Sequence, residues 1–165
     1  MIFNSITYII FLTIFIFTYW YFTSTKIRTT LIFSASLAFY GFWKINFIPV
    51  MLFSVILDYF MALEIEKSDD TIKKKKFLLI SLVGNLGLLF YFKYLIFFAN
   101  NAIGFINLMG LSIDPIFFKI ILPLGISFYT FQTISYTVDV YRGHIKPEKN
   151  FLLYASYVTF FPQLI

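Results

Sequence analysis

The sequence predicts an all-α fold: a polytopic helical membrane protein with about six spans, the last one incomplete, and one interfacial or re-entrant segment. Composition is the first reason, because 60% of the 165 residues are hydrophobic and only 13% are charged, about half the charged share of a soluble domain. The 24 Phe and 12 Tyr residues suit lipid-facing and interfacial positions. Apolar stretches also alternate with short basic segments. We therefore interpret residues 1–165 as a single membrane domain.

The apolar stretches define the predicted elements in chain order. The run 1–22 has no basic segment before it and no small-residue cleavage site after it, which indicates a retained span. The other predicted spans are 30–43, 47–63, 77–99, 121–142 and 151–165. We expect Asn100 and Asn101 to end the fourth span. Gly104, Gly110 and Asp114 with Pro115 interrupt the stretch 102–118, which predicts an interfacial or re-entrant segment.

The basic residues predict an orientation. Ten of the 13 Lys and Arg residues occupy three segments that share one side of the membrane if each span crosses once: Lys26 and Arg28; Lys67 and Lys73, Lys74, Lys75 and Lys76; Arg142, Lys146 and Lys149. The positive-inside rule makes these segments cytosolic and the N-terminus extracytoplasmic. The run 73–76 also predicts contact with anionic membrane lipids, with docking of an acidic carrier protein as an alternative. Since topology explains the positive charge, we predict no nucleic-acid partner.

Two features inside the predicted spans indicate how the helices pack. Asp58 lies within the third span, where an acid is costly in lipid, so we expect its carboxylate to bond to a neighbouring helix. Gly84 and Gly87 in the fourth span would allow another helix to approach closely.

The span 121–142 carries more polar side chains than lipid tolerates without partners. At 100° per residue, one face of this helix holds Tyr129, Gln132, Tyr136 and Asp139. The adjoining face holds Thr130, Thr133, Thr137 and Tyr141, and the opposite side holds Ser127, Phe131, Ile134 and Val138. Two interpretations are open: the polar groups bond to neighbouring helices, or they line a substrate cavity. Arg142 is a candidate ion-pair partner for Asp139.

The residues themselves predict no catalytic group, metal site or cofactor. The chain has no Cys and one His. His144 lies in a hydrophilic loop, where we expect a solvated side chain. No phosphate-binding glycine loop, zinc motif or serine nucleophile motif occurs in the sequence.

The segment LPLGISFYTFQTISYTVDVYRG, followed by NFLLYASYVTFFPQLI, resembles the membrane-bound O-acyltransferases, in their bacterial AlgI/DltB-like branch. The earlier NLGLLFYFKY and the span that contains Asp58 are similar as well. The resemblance implies transfer of an acyl group, expected to be acetyl, to a hydroxyl of an extracytoplasmic polysaccharide or cell-wall polymer. The implied donor is a cytosolic thioester, either acyl-CoA or an acyl carrier protein. The implied location is the bacterial inner membrane.

The resemblance also implies what this chain lacks. Family members are typically more than twice as long, and the family's catalytic histidine lies in the remaining part, to which His144 does not correspond. We therefore expect the chain to form the N-terminal portion of an acyltransferase, with a separately encoded C-terminal half as a candidate partner. Two alternatives are a non-catalytic membrane subunit that packs against a partner and a small transporter component.

Overall fold

The structure is a computed structural model that describes residues 6–109 and 121–163. These residues form helices joined by short turns, without a strand, which confirms the all-helical prediction. The elements are α1 Ile6–Tyr21, α2 Thr25–Lys44, a 3₁₀ turn Ile45–Phe47, α3 Ile48–Lys67, α4 Thr71–Leu89, a π-helical turn Phe90–Tyr94, α5 Leu95–Leu108, α6 Ile126–Arg142 and α7 Phe151–Val158.

Two helical stretches in the described residues, 25–67 and 71–108, are long and apolar enough to span a membrane. The core helix of a soluble protein would be mostly buried, but only 39% and 17% of their most apolar windows are buried. Their apolar surface therefore faces outward, as expected in lipid. Lys44 has extended backbone angles (φ −165°, ψ 107°), which interrupt the first stretch between α2 and α3. The predicted count of six spans is not reached in the described residues and stays a prediction.

Charged and polar residues end the helices less often than the sequence predicted. The basic run 73–76 belongs to the first turns of α4, not to a loop, and Asp70 caps that helix by accepting the Ile72 N–H at 2.8 Å. Lys is a good helix former, so it continues the helix where the apolar span stops. The expectation that Asn100 and Asn101 end a helix is wrong. The Asn101 side chain donates to the Phe97 carbonyl within the helix at 2.7 Å, and α5 continues to Leu108.

Two further predicted segments also differ from the structure. Of the predicted re-entrant segment 102–118, residues 102–108 are the last turns of α5, and 110–120 lie outside the described residues. The predicted last span 151–165 contains a helix of only 8 residues, α7, about 12 Å long. Asn150 starts it by accepting the Leu152 N–H at 3.0 Å. It ends at Thr159, so α7 is too short to cross a bilayer.

The helices α3, α4 and α6 pack against one another, and α7 packs against α2. The larger core cluster includes Tyr40, Met51, Val55, Tyr129 and Tyr154, contributed by α2, α3, α6 and α7. Gly84 lies where α4 meets α3, because a Cβ there would overlap the end of the Leu57 side chain. Gly87 has open space around it among the described residues, so its close contact with another helix stays a prediction.

Candidate functional site

A buried polar cluster joins α3 to α4. The Asp58 carboxylate accepts hydrogen bonds from Ser81 Oγ at 2.5 Å and from Asn85 Nδ2 at 2.7 Å. The Ser54 hydroxyl donates to Asn85 Oδ1. These four side chains are fully buried. The prediction that Asp58 ties helices together is therefore confirmed, and its oxygens are engaged in structural bonds.

The threonine face of α6 is a packing surface. Thr130, Thr133 and Thr137 are buried. Thr133 and Thr137 also donate to carbonyls of the preceding turn at 3.1 Å, so they need no external partner. Small side chains of this kind let helices approach closely in membranes. This face of α6 therefore packs against neighbouring helices.

A different face of α6 borders a groove of about 1000 Å³. The groove lies between α6, the loop after it and α7. Its polar lining includes Gln132, Tyr136, Asp139 and Glu148, and its aromatic lining includes Phe128, Phe131, Tyr154 and Tyr157. Phe131, expected on the apolar side of the helix, lies on the rim and is 56% exposed.

The four residues expected to share one polar face are divided by the structure. Gln132, Tyr136 and Asp139 line the groove. Tyr129 is fully buried instead and belongs to the core cluster with Tyr40. It lies about one turn N-terminal to Gln132, where α6 packs on α3.

Hydrogen bonds and ring contacts fix the walls of the groove. The Tyr136 hydroxyl accepts the Glu148 N–H at 2.9 Å, which holds the loop against α6. The Tyr136 and Tyr154 rings lie 4.6 Å apart at 37°, within the range of favourable aromatic pairs. Gln132 Nε2 donates weakly to the Tyr157 carbonyl at 3.4 Å. These contacts join α6 to α7 across the base of the groove.

Two buried polar atoms of this wall have no hydrogen-bond partner among the described residues: Gln132 Oε1 and Tyr154 Oη. Buried polar atoms are usually paired with protein, water or ligand. Both side chains line the groove, but these two atoms are themselves buried, so neither is exposed to a molecule in the groove.

The single histidine lies at the C-terminal end of α6. His144 Nδ1 is 3.4 Å from Asp139 Oδ1, and both side chains are substantially exposed. The pairing of Asp139 with Arg142 considered above is not present, because Gly143 in the left-handed conformation (φ 75°) turns the chain so that His144 meets Asp139. An exposed contact of this length contributes little to stability.

Several groove and cluster residues were not singled out from the sequence. Two polar pairs at i, i+4 lie inside apolar stretches: Ser54 with Asp58, and Ser81 with Asn85. This spacing indicates a shared polar helix face and could have identified the cluster. Glu148, Tyr154 and Tyr157 come from the loop and α7. Their spacing from α6 in the sequence gives no sign that they meet it. Within the described residues no group of three or more His, Cys, Asp or Glu side chains could hold a metal ion.

Comparison with known proteins connects this bundle to membrane O-acetyltransferases. The chain is 34% identical over its full length to a probable alginate O-acetylase AlgI of Pseudomonas syringae pv. tomato, covering 32% of that protein. It is likewise 34% identical to a probable alginate O-acetylase AlgI of Azotobacter vinelandii, covering 33% of it. Over 79% of the chain it is 35% identical to a peptidoglycan O-acetyltransferase of Helicobacter pylori, covering 28% of it. The chain thus spans about a third of the length of these relatives. No family model and no solved structure matches it.

These relatives are named for O-acetylation of alginate or peptidoglycan. Their names agree with the resemblance of the sequence to the AlgI/DltB-like branch of the membrane-bound O-acyltransferases.

Proposed function

We propose that the chain is the N-terminal portion of an O-acyltransferase that moves an acetyl group to a hydroxyl of an extracytoplasmic polysaccharide or cell-wall polymer. The proposed donor is a cytosolic thioester, acyl-CoA or an acyl carrier protein. The observation that carries the proposal is the identity of 34–35% to proteins named for O-acetylation of alginate or peptidoglycan. Residues 1–165 act in this proposal as one membrane domain.

In this proposal the groove is part of the wall of the acyl-transfer chamber. Gln132, Tyr136 and Asp139 provide the polar face, and Tyr129 supports α6 from the buried side. Aromatic and polar groups side by side suit a ligand that combines an acyl chain with hydroxyl groups.

The proposed location is the bacterial inner membrane, with the N-terminus extracytoplasmic. Support comes from the meeting of two basic segments at one end of the bundle, where Lys149 Nζ lies 3.9 Å from Glu66 Oε2. Lys74, Arg142 and Lys146 also border a common pocket there. A basic end of this kind is typical of the cytosolic side.

The test is to measure ester-linked acetate in the cell-surface polymers of the source bacterium. Deleting the coding region should lower the acetate released by mild alkali from one polymer fraction. Tyr136→Phe should lower it by about two- to tenfold, since the hydroxyl that orders the loop is lost. Phe97→Leu is the matched control, because Phe97 is exposed on α5, away from the groove. Unchanged acetate in every fraction after deletion would refute the proposal.

A further inference from the structure

A second pocket, which we call the basic pocket, lies at the end of the bundle where α3 ends and α4 begins. Its volume is about 430 Å³. Three cationic side chains border it: Lys74 from α4, Arg142 from the end of α6 and Lys146 from the following loop. The pocket is separate from the groove, although Ile145 borders both.

The floor of the basic pocket is a packed part of the bundle. Ile65 and Val140 form it and are almost fully buried. They belong to the smaller core cluster, together with Ala62. The cations therefore surround a surface that is already fixed in place, not a gap between mobile loops.

The turn that places Arg142 and Lys146 is well defined. The Gly143 N–H donates to the Val140 carbonyl at 3.0 Å, and the His144 N–H donates to the Asp139 carbonyl at 2.9 Å. With Gly143 at φ 75°, these bonds form a Schellman motif, which fixes the exit of the chain from a helix. The two side chains are thus held near Lys74 by backbone geometry.

The charges around the basic pocket do not cancel. Its one acidic neighbour, Glu66, is also the ion-pair partner of Lys149. None of Lys74, Arg142 and Lys146 has an ion-pair partner in the part of the chain that the structure describes. Bringing like charges together is unfavourable unless an anion neutralises them.

We propose that the basic pocket binds a phosphate group. Arg and Lys are the side chains that recognise phosphate, Arg through paired N–H donors and Lys as a point charge. The volume of the basic pocket is within the range of small-molecule sites. It is large enough for a phosphate group and the part of the ligand next to it. The phosphate belongs either to the headgroup of an anionic phospholipid or to a soluble ligand. The proposal does not depend on the proposed acyltransferase function.

The experiment uses the full chain in nanodiscs of digalactosyldiacylglycerol, a neutral lipid without phosphate. One arm titrates inorganic pyrophosphate and measures binding by calorimetry. The other replaces part of the lipid with phosphatidylglycerol and counts retained lipids by native mass spectrometry. The pocket variant is Lys74→Gln with Arg142→Gln and Lys146→Gln. The control, Lys73→Gln with Lys75→Gln and Lys76→Gln, removes equal charge from the same end but outside the basic pocket.

We expect wild type and control to bind at least one probe, and the pocket variant to bind it at least about tenfold more weakly. Binding of phosphatidylglycerol alone identifies a lipid headgroup, and binding of pyrophosphate identifies a soluble source. Circular dichroism checks the helical content of each variant. If the triple pocket variant does not fold, the single variant Arg142→Gln replaces it, because Arg142 is exposed. The proposal is overturned if wild type binds neither probe, or if pocket and control variants weaken binding equally.

Discussion

Asn85 Nδ2 donates a hydrogen bond to Asp58 Oδ2 at 2.7 Å, and this contact joins α4 to α3 inside the bundle. The same amide group also donates to the Ser81 carbonyl at 3.0 Å. A carboxylate that would be costly in lipid is thereby used as the centre of an interhelical cluster. Asp58 therefore stabilises the packing of α3 and α4. The candidate site is the groove on the other side of α6.

The first prediction is that Asp58→Ala destabilises the chain by about 2–3 kcal/mol, because Ser81 and Asn85 are left buried without their partner. The measurement is reversible unfolding in mixed micelles, followed by circular dichroism. Asp69→Ala is the control, since Asp69 is exposed before α4, and should change stability by less than about 0.5 kcal/mol. Equal stability of the two variants would show that the cluster does not hold α3 to α4.

The local sequence predicted much of this bundle because helical periodicity is a local property. Polar residues at i, i+4 identify a helix face, and an acid such as Asp58 in an apolar span requires a partner nearby. The neighbour that each face meets is decided by tertiary packing. Tyr129 and Gln132 were therefore predicted on one helix face. In the structure Tyr129 lies in the core and Gln132 lines the groove. Glu148 reaches Tyr136 through a loop whose path no local pattern indicates.

Helix ends were predicted less well for a related physical reason. Hydropathy reports where an apolar surface stops, whereas a helix ends where its backbone bonds stop. Lys and Glu continue a helix beyond the apolar part, as in α3 and at the start of α4. Asn101 bonds to its own helix and so does not end it. The shortness of α7 follows from the turn after Thr159, which the apolar sequence 151–165 does not reveal.

The second prediction concerns the contact of Gly84 with Leu57. Gly84→Val should destabilise the chain by about 1–2 kcal/mol, since the Leu57 side chain must move aside for the Cβ and the added methyl groups overpack the interface. Gly87→Val, on the same helix but in open space, should be neutral or slightly stabilising. Unfolding of both variants under identical detergent conditions measures the difference. If Gly87→Val is the more harmful, the packing of α4 on α3 described here is incorrect.

The third prediction concerns orientation. The chain has no native Cys, so single cysteines can be labelled without background. Lys26→Cys, Lys74→Cys and Lys146→Cys should react with an impermeant maleimide only after the cells are opened, because basic segments stay cytosolic. Asn46→Cys, exposed in the turn between α2 and α3, should react in intact cells. Labelling of Lys74→Cys in intact cells would reverse the proposed orientation.

The last prediction is that purified residues 1–165 in liposomes do not transfer an acyl group from a thioester to a polysaccharide or cell-wall acceptor. Attack by a hydroxyl requires a base within hydrogen-bond reach of its proton. Asp58 is already bonded to Ser81 and Asn85. His144, the chain's single histidine, lies in the turn after α6, at the end that we propose to be cytosolic, whereas the proposed acceptor is on the other side. The assay measures acetate esters formed on the acceptor, with a full-length alginate O-acetylase as the positive control. Any turnover by the chain would contradict this prediction. If that turnover persisted in His144→Ala and was lost in Asp139→Asn, the groove carboxylate would be identified as the base.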